Sequence, residues 1–201
     1  MPIQVDHERQ RERVTLLAAR LVAQEGVAAL TFRRVAEAAG TSTAIVSTYF
    51  ADKCDLLLST LRAAASRTTV RFEAAMNAGA GLQECLEAWL PLDEDRLADW
   101  RVIIAFWGAA VADPELARVQ DGHSSRARTR IEMLLRDERR PGGEPPPDPA
   151  RQAQQILALT LGIAVQAVFE PAVPPSLPQR ALLSGGLARL APGAADVSRR
   201  T

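Results

Sequence analysis

The spacing of apolar residues constrains the fold of this 201-residue chain more than any other feature. Apolar side chains recur every three or four residues through most of the chain, which places them on one face of an α-helix. The clearest case is the series Leu97, Trp100, Ile104, Trp107 and Val111. No segment alternates polar and apolar residues over the length of a strand. We therefore predict an all-α protein of about nine helices.

Composition and charge exclude several classes of protein. Hydrophobic residues make up 47% of the sequence, which is ordinary for a globular protein and excludes a wholly disordered chain. The 24 basic and 24 acidic residues leave no net charge, so a nucleic acid would have to be bound by a local patch. No apolar run approaches the ~20 residues of a membrane span, and the first residues lack the apolar core of a signal peptide. We expect a cytoplasmic protein without a membrane partner.

The residues that usually carry catalysis or bind metals are sparse. There are two histidines, His7 and His123, and two cysteines, Cys54 and Cys85, with no spacing typical of a metal site. Residues 40–44 resemble the G-x-S-x-G turn of serine hydrolases, but the last glycine is missing and no strand pattern precedes them. We expect no enzyme activity, no metal and no cofactor. A helical small-molecule carrier or an enzyme without DNA binding is the alternative.

Residues 31–53 have the layout of a helix-turn-helix module. Thr31 and Ser42 are each placed to cap a short helix, and Gly40 is placed to end the first one. In such a module the second short helix enters the major groove of DNA. Small hydroxyl and apolar side chains on that helix can approach base edges. The alternative is that the two short helices simply pack together with their polar faces in water.

The same segment resembles the N-terminal signature of the tetracycline-repressor (TetR) family. The similar residues lie in the runs 26–36, 39–44 and 49–53, followed by Leu56 and Leu57. They match the signature in register without a gap. The resemblance implies an all-helical homodimer whose N-terminal helices bind operator DNA and whose C-terminal helices bind a ligand and form the dimer.

Three segments, residues 42–50, 104–107 and 113–116, are similar to the betaine-responsive repressor branch of that family. The similarity covers most of the chain but is diffuse after Asp121. Gly79 and Gly81 interrupt the helical pattern, so we place a domain boundary just before them, around residues 67–79. The predicted domains are a helix-turn-helix DNA-binding domain, residues 1–67, and a ligand-binding and dimerisation domain, residues 68–201. We therefore predict a repressor that a small-molecule effector releases from its operator; an activator, or a regulator without an effector, is the alternative.

The candidate contacts to double-stranded operator DNA lie on and around the two short helices. Thr31, at the start of the first one, is placed to meet a phosphate. The resemblance implies the further contacts Arg33, Thr43, Ala44, Ile45, Ser47, Thr48, Tyr49 and Lys53. Lys53 is the lone lysine of the chain and stands where the family binds a phosphate. Ala44 replaces a glycine that is usual in the family, and this departure bears on the operator sequence rather than on DNA binding itself.

Bulky aromatic residues concentrate in the second half of the chain, and we predict that they form the effector site. They are Trp89, Trp100, Phe106, Trp107 and Phe169. Such rings can hold a quaternary ammonium by cation–π attraction. An apolar effector is an equal alternative, and Trp100 and Trp107 also suit an ordinary helix core.

The last two predicted helices have more apolar surface than one small module can bury on itself. They lie near residues 150–169 and 178–190. The family places a four-helix dimer interface there, so we predict a homodimer through the last two helices.

Overall fold

The computed structural model describes residues 2–137, 147–170 and 176–190. These residues form nine α-helices and one 3-10 turn, with no strand among them. The helices are α1 Pro2–Glu25, α2 Phe32–Ala39, α3 Thr43–Tyr49, α4 Lys53–Asn77, α5 Leu82–Glu87, α6 Glu94–Ala110, α7 Pro114–Asp137, α8 Pro149–Phe169 and α9 Ser176–Leu190, with the 3-10 turn Val27–Ala29 after α1. The predicted all-α class is confirmed.

Packing divides the chain into two compact units. Unit 1 comprises Met1–Arg67 and Ala98–Ala109, and unit 2 comprises Thr68–Leu97 and Ala110–Thr201. The predicted second domain, residues 68–201, includes residues 98–109, whereas the packing places those residues in unit 1. The division of functions at residue 67 stays a prediction.

An ion pair joins α6 to the part of α4 that belongs to unit 1. Asp99 is 2% exposed and accepts a hydrogen bond from Arg67 Nε at 2.9 Å, which ties α6 to α4. Trp100, Val102 and Phe106 are buried as well. Such a partner stabilises a buried carboxylate, because a buried charge without a partner costs folding free energy.

The ends of the short helices in unit 1 follow local backbone chemistry. Thr31 Oγ1 and Ser42 Oγ each accept the backbone N–H three residues later, at 3.2 and 3.3 Å, and so cap α2 and α3. Gly40 follows α2 with φ 64°, a left-handed conformation that favours glycine. The predicted caps and stop are confirmed, and they fix the tight turn between α2 and α3.

Unit 2 is a helical bundle in which α8 packs between α7 and α9. α9 also contacts α5, where Gln179 Nε2 donates to the Pro91 carbonyl at 2.9 Å. The α8–α9 approach is close, since a Cβ at Gly186 would overlap the Leu159 side chain. The core of the unit includes Phe72, Leu86, Trp89, Ile131, Leu135, Ile156, Ile163, Leu183 and Leu187.

The series from Leu97 to Trp107 lies on α6, and Leu97 and Trp100 are buried as the pattern predicts, but the last member of the predicted series does not belong to the helix. α6 ends at Ala110, and Val111 is 90% exposed in the turn before α7. Val102 and Phe106 are buried as well. The next helix starts with Pro114, directly after Asp113 and three residues after Val111. The apolar spacing in the sequence therefore extends beyond the end of α6.

Candidate nucleic-acid interface

α3 is held in unit 1 by two buried apolar side chains, Val46 and Phe50, and most of its other side chains are exposed. Val46 is fully buried, and Phe50, the residue that ends the helix, is 1% exposed. The exposed residues of α3 are Thr43, Ala44, Ile45, Ser47 and Thr48, while Tyr49 is half-buried. Ile45 is 45% exposed, which is unusual for an isoleucine on a seven-residue helix. An outward apolar side chain beside outward hydroxyls suits contact with base edges, where thymine offers a methyl group.

The hydroxyl groups of Ser47 and Thr48 both donate hydrogen bonds to the backbone of α3. Ser47 Oγ donates to the Thr43 carbonyl at 2.9 Å, and Thr48 Oγ1 donates to the Ile45 carbonyl at 2.7 Å. Each hydroxyl proton is therefore donated to the helix backbone, which leaves the oxygen lone pairs available as acceptors. In the major groove, acceptors pair with the amino groups of adenine and cytosine.

The two arginines of α2 differ in the structure although they are neighbours in sequence. Arg34 Nη2 donates to both carboxylate oxygens of Glu25, at 2.8 and 2.7 Å, and Nη1 donates to Glu37 at 3.3 Å. These hydrogen bonds to Glu25, and the attraction of its charge, raise the pKa of Arg34. Arg33 has an 82% exposed side chain and makes a 3.7 Å contact with Glu37. Arg33 is thus the more exposed and less strongly paired of the two, and its contact with a phosphate stays a prediction.

Lys53 is the first residue of α4 and is exposed. The preceding Asp52 accepts the Asp55 backbone N–H at 2.8 Å and caps the helix. Asp55 in turn accepts the Ala51 backbone N–H at 3.1 Å, so the two carboxylates fasten the turn between α3 and α4. Lys53 thus extends from a hydrogen-bonded turn directly after the exposed helix, and its contact with a phosphate stays a prediction.

Two residues of α1 that sequence reasoning did not select lie against this region. His7 makes an edge-to-face ring contact with Tyr49, with ring centroids 4.7 Å apart. Arg11 lies over the Phe50 ring, 5.3 Å from its centroid. Nothing in the local sequence indicates these contacts, because they join residues about forty positions apart.

The predicted effector residues fall into separate groups. In unit 1, Phe106 is fully buried, and the rings of Trp100 and Trp107 meet edge-to-face at 6.0 Å. In unit 2, Trp89 stacks on Phe72 at 4.3 Å. Phe169, also in unit 2, is 70% exposed at the end of α8. Burial of Trp100 and Phe106 suits both a core residue and the wall of an enclosed site, so their assignment to the effector stays a prediction.

A capped first helix, a glycine turn and an exposed second helix define a helix-turn-helix DNA-binding protein. Residues 16–60 match the family profile described as bacterial regulatory proteins of the tetR family. Residues 78–192, more than half of the chain, match the profile described as the C-terminal part of a BetI-type transcriptional repressor. The chain belongs to the TetR family of transcriptional regulators, in its BetI-type branch.

Solved structures share this fold. A transcriptional regulator from Rhodococcus sp. Rha1 is 25% identical, with a TM-score of 0.81 over 93% of this chain and 98% of that chain. A proposed transcriptional regulator from Saccharomonospora viridis, solved in complex with choline, is 22% identical, with a TM-score of 0.77 over 90% and 96% of the two chains. A proposed TetR-family regulator from Rhodococcus sp. is 17% identical, with a TM-score of 0.75 over 91% and 98%. No protein of curated function matches the sequence.

Proposed function

We propose that this DNA-binding transcriptional regulator is a repressor that a small-molecule effector releases from its operator in the cytoplasm. The observation that carries the proposal is α3, a helix with five exposed side chains beside the exposed Lys53, in a chain whose C-terminal part is of the BetI repressor type. A homodimer would place two copies of α3 in successive major grooves, ~34–36 Å apart. The effector would favour a state in which that spacing is wrong.

A gel shift with the DNA upstream of the protein's own gene tests this function. A sequence-specific shift that competitor DNA of random sequence does not abolish is expected. A helical carrier or enzyme would give no such shift. A reporter gene placed behind the shifted DNA gives the sign of regulation, because a repressor lowers its expression and an activator raises it.

The outer faces of α8 and α9 support a dimer through the last two helices. α8 has no uninterrupted apolar run of membrane-spanning length, but by length and mean composition it passes the same test as a membrane span, and only 39% of that window is buried. Its exposed residues include Ala158, Gly162 and Phe169, and α9 adds Leu182 and Gly185. Small side chains let helices approach closely and Leu182 supplies apolar area, so a second copy of the chain is the partner that this surface fits.

Lys53 is expected to bind a backbone phosphate in each half of the dimer. Each lost contact removes about 0.9 from the slope of log K against log salt, so Lys53→Ala should lower the slope of the dimer by about 1.8. At about 0.15 M salt this corresponds to a roughly thirtyfold weaker complex, for operator and random DNA alike. Fluorescence anisotropy titrations over a salt series measure both quantities.

Thr43→Ala is the matched control for Lys53→Ala. Thr43 is exposed on α3 and uncharged, so its loss should leave the salt slope unchanged and alter the preference among operator variants. An unchanged slope in Lys53→Ala would show that Lys53 does not bind a phosphate.

The Trp100–Trp107 pair narrows the class of effector that we propose. Trp107 Nε1 is buried and has no hydrogen-bond partner among the described residues. A buried indole N–H without an acceptor costs about 1–3 kcal/mol, so a ligand that accepts a hydrogen bond would relieve it. The two rings also attract a cation. A small alcohol with a quaternary ammonium group, such as choline, combines both features.

Choline is expected to stabilise the protein against heat. At a concentration of about 100 times its Kd the gain is about 2.7 kcal/mol, which raises the Tm by roughly 5–10 °C for a chain of this size. The neutral analogue 3,3-dimethylbutan-1-ol keeps the shape and the hydroxyl but lacks the charge, and should give a much smaller shift. Differential scanning fluorimetry measures both.

Trp107→Phe serves as the control for the hydrogen bond, because it keeps an aromatic ring and removes the indole N–H. It should reduce the choline shift. An equal shift with the neutral analogue would favour an apolar effector instead, and no shift with either compound would contradict the proposed class.

A further inference from the structure

The Arg11 guanidinium lies at the junction between α3 and α4. Its Nη2 donates to Ser59 Oγ at 3.0 Å and to Asp55 Oδ1 at 3.4 Å, and its Cζ lies 5.3 Å from the centre of the Phe50 ring. Phe50 ends α3, and Asp55 and Ser59 lie in the first two turns of α4. One side chain of α1 therefore contacts the end of one helix and the start of the next.

Asp55 connects Arg11 to the backbone that precedes Lys53. One carboxylate oxygen of Asp55 faces Arg11 while the other accepts the Ala51 N–H at 3.1 Å. The turn of two residues between Phe50 and Lys53 is thus fastened to a carboxylate to which Arg11 donates a hydrogen bond. Displacing that carboxylate would release the turn and move the Lys53 ammonium relative to α3.

The charge of Arg11 matters as well as its hydrogen bonds. Asp55 is two residues from Lys53, and its carboxylate is 32% exposed. A carboxylate so close to a phosphate site repels DNA unless a cation balances it. The Arg11 side chain is 41% exposed, so its attraction to the Asp55 carboxylate is partly screened by water and weakens as the salt concentration rises.

We propose that Arg11 is a positioning residue for DNA binding: through Asp55 it holds the α3–α4 turn so that α3 and Lys53 reach the DNA together. Arg11 does not itself contact a phosphate. This inference rests on the proposed phosphate contact of Lys53, and it adds a role for a residue of α1.

Salt titrations of the dimer on one duplex, selected from random sequences by the wild-type protein, test the proposal with four proteins. They are the wild type, Arg11→Met, Lys53→Ala and the double variant. If Arg11 acts through Lys53, Arg11→Met lowers the salt slope by about 1.8, as Lys53→Ala does, and the double variant shows no further loss. A slope lowered by about 3.6 in the double variant would mean that Arg11 binds a phosphate directly, and would overturn the proposal.

Two control variants complete the design. Arg13→Met removes an equal charge from an exposed position of α1 and should leave the slope unchanged. Arg11→Lys keeps a cation beside Asp55 and should retain most of the wild-type slope. If Arg11→Met lowers the Tm but keeps the wild-type slope, the residue is only structural and the proposal is wrong. An unchanged slope in Lys53→Ala alone would instead contradict the proposed phosphate contact.

Discussion

Replacing Leu182 by glutamate is expected to convert the dimer to monomers and to weaken operator binding by about 10²–10⁴. Leu182 is 54% exposed on α9, so the change should leave the folded subunit intact. In a dimer interface the same position would bury a carboxylate without a partner, at a cost of several kcal/mol per subunit. Each monomer then binds one half-site, without the gain that comes from holding two half-sites at once. Sedimentation velocity and gel shifts measure the two effects.

Val111→Glu is the matched control for Leu182→Glu. Val111 is 90% exposed in the turn after α6, so it receives the same new charge at another apolar surface position. It should remain a dimer and bind its operator normally. If Leu182→Glu also sediments as a dimer, the interface does not lie on this face of α9.

Replacing Phe50 by alanine is expected to destabilise unit 1 by about 3–5 kcal/mol and to abolish operator binding. Phe50 is 1% exposed, and with Val46 it forms the apolar edge that anchors α3. Its ring also carries the Arg11 contact, whose loss adds to the effect. Because a whole protein is stable by only about 5–15 kcal/mol, a loss of this size leaves α3 largely undocked. Urea unfolding followed by circular dichroism measures it.

Phe50→Leu separates the apolar anchor from the aromatic contact. It keeps most of the buried volume and should cost far less than the alanine variant, while the Arg11–ring contact is lost. A Phe50→Ala protein that unfolds at the wild-type urea concentration and binds DNA would show that α3 is anchored in another way.

Features that depend on a few neighbouring residues could be predicted from the sequence. The caps at Thr31 and Ser42 and the stop at Gly40 involve hydrogen bonds over three or four residues, so their residue types alone indicate them. The exposed face of α3 follows in the same way, because Val46 and Phe50 are its apolar positions at helical spacing. These features made the helix-turn-helix module predictable together with its family.

Features that depend on distant partners could not be predicted. The sequence places Arg33 and Arg34 side by side, and only the fold brings Glu25 against Arg34 and leaves Arg33 exposed. The Arg11–Asp55 pair joins α1 to α4 across 44 positions. The periodic pattern also does not give the whole buried face of α6 or its end, since Val102 and Phe106 are buried besides Trp100, and Val111 lies exposed after the helix.

Only two buried side chains hold α3 in place, and this affects how the DNA-binding surface of the regulator can change in evolution. Folding of the helix depends on Val46 and Phe50, whereas the side chains that face outward take no part in the core. Substitutions at exposed positions away from caps usually change stability by only about 0.5 kcal/mol. If these side chains contact the bases, as we propose, exchanging Ala44 or Ile45 is expected to change the operator sequence while unit 1 stays folded.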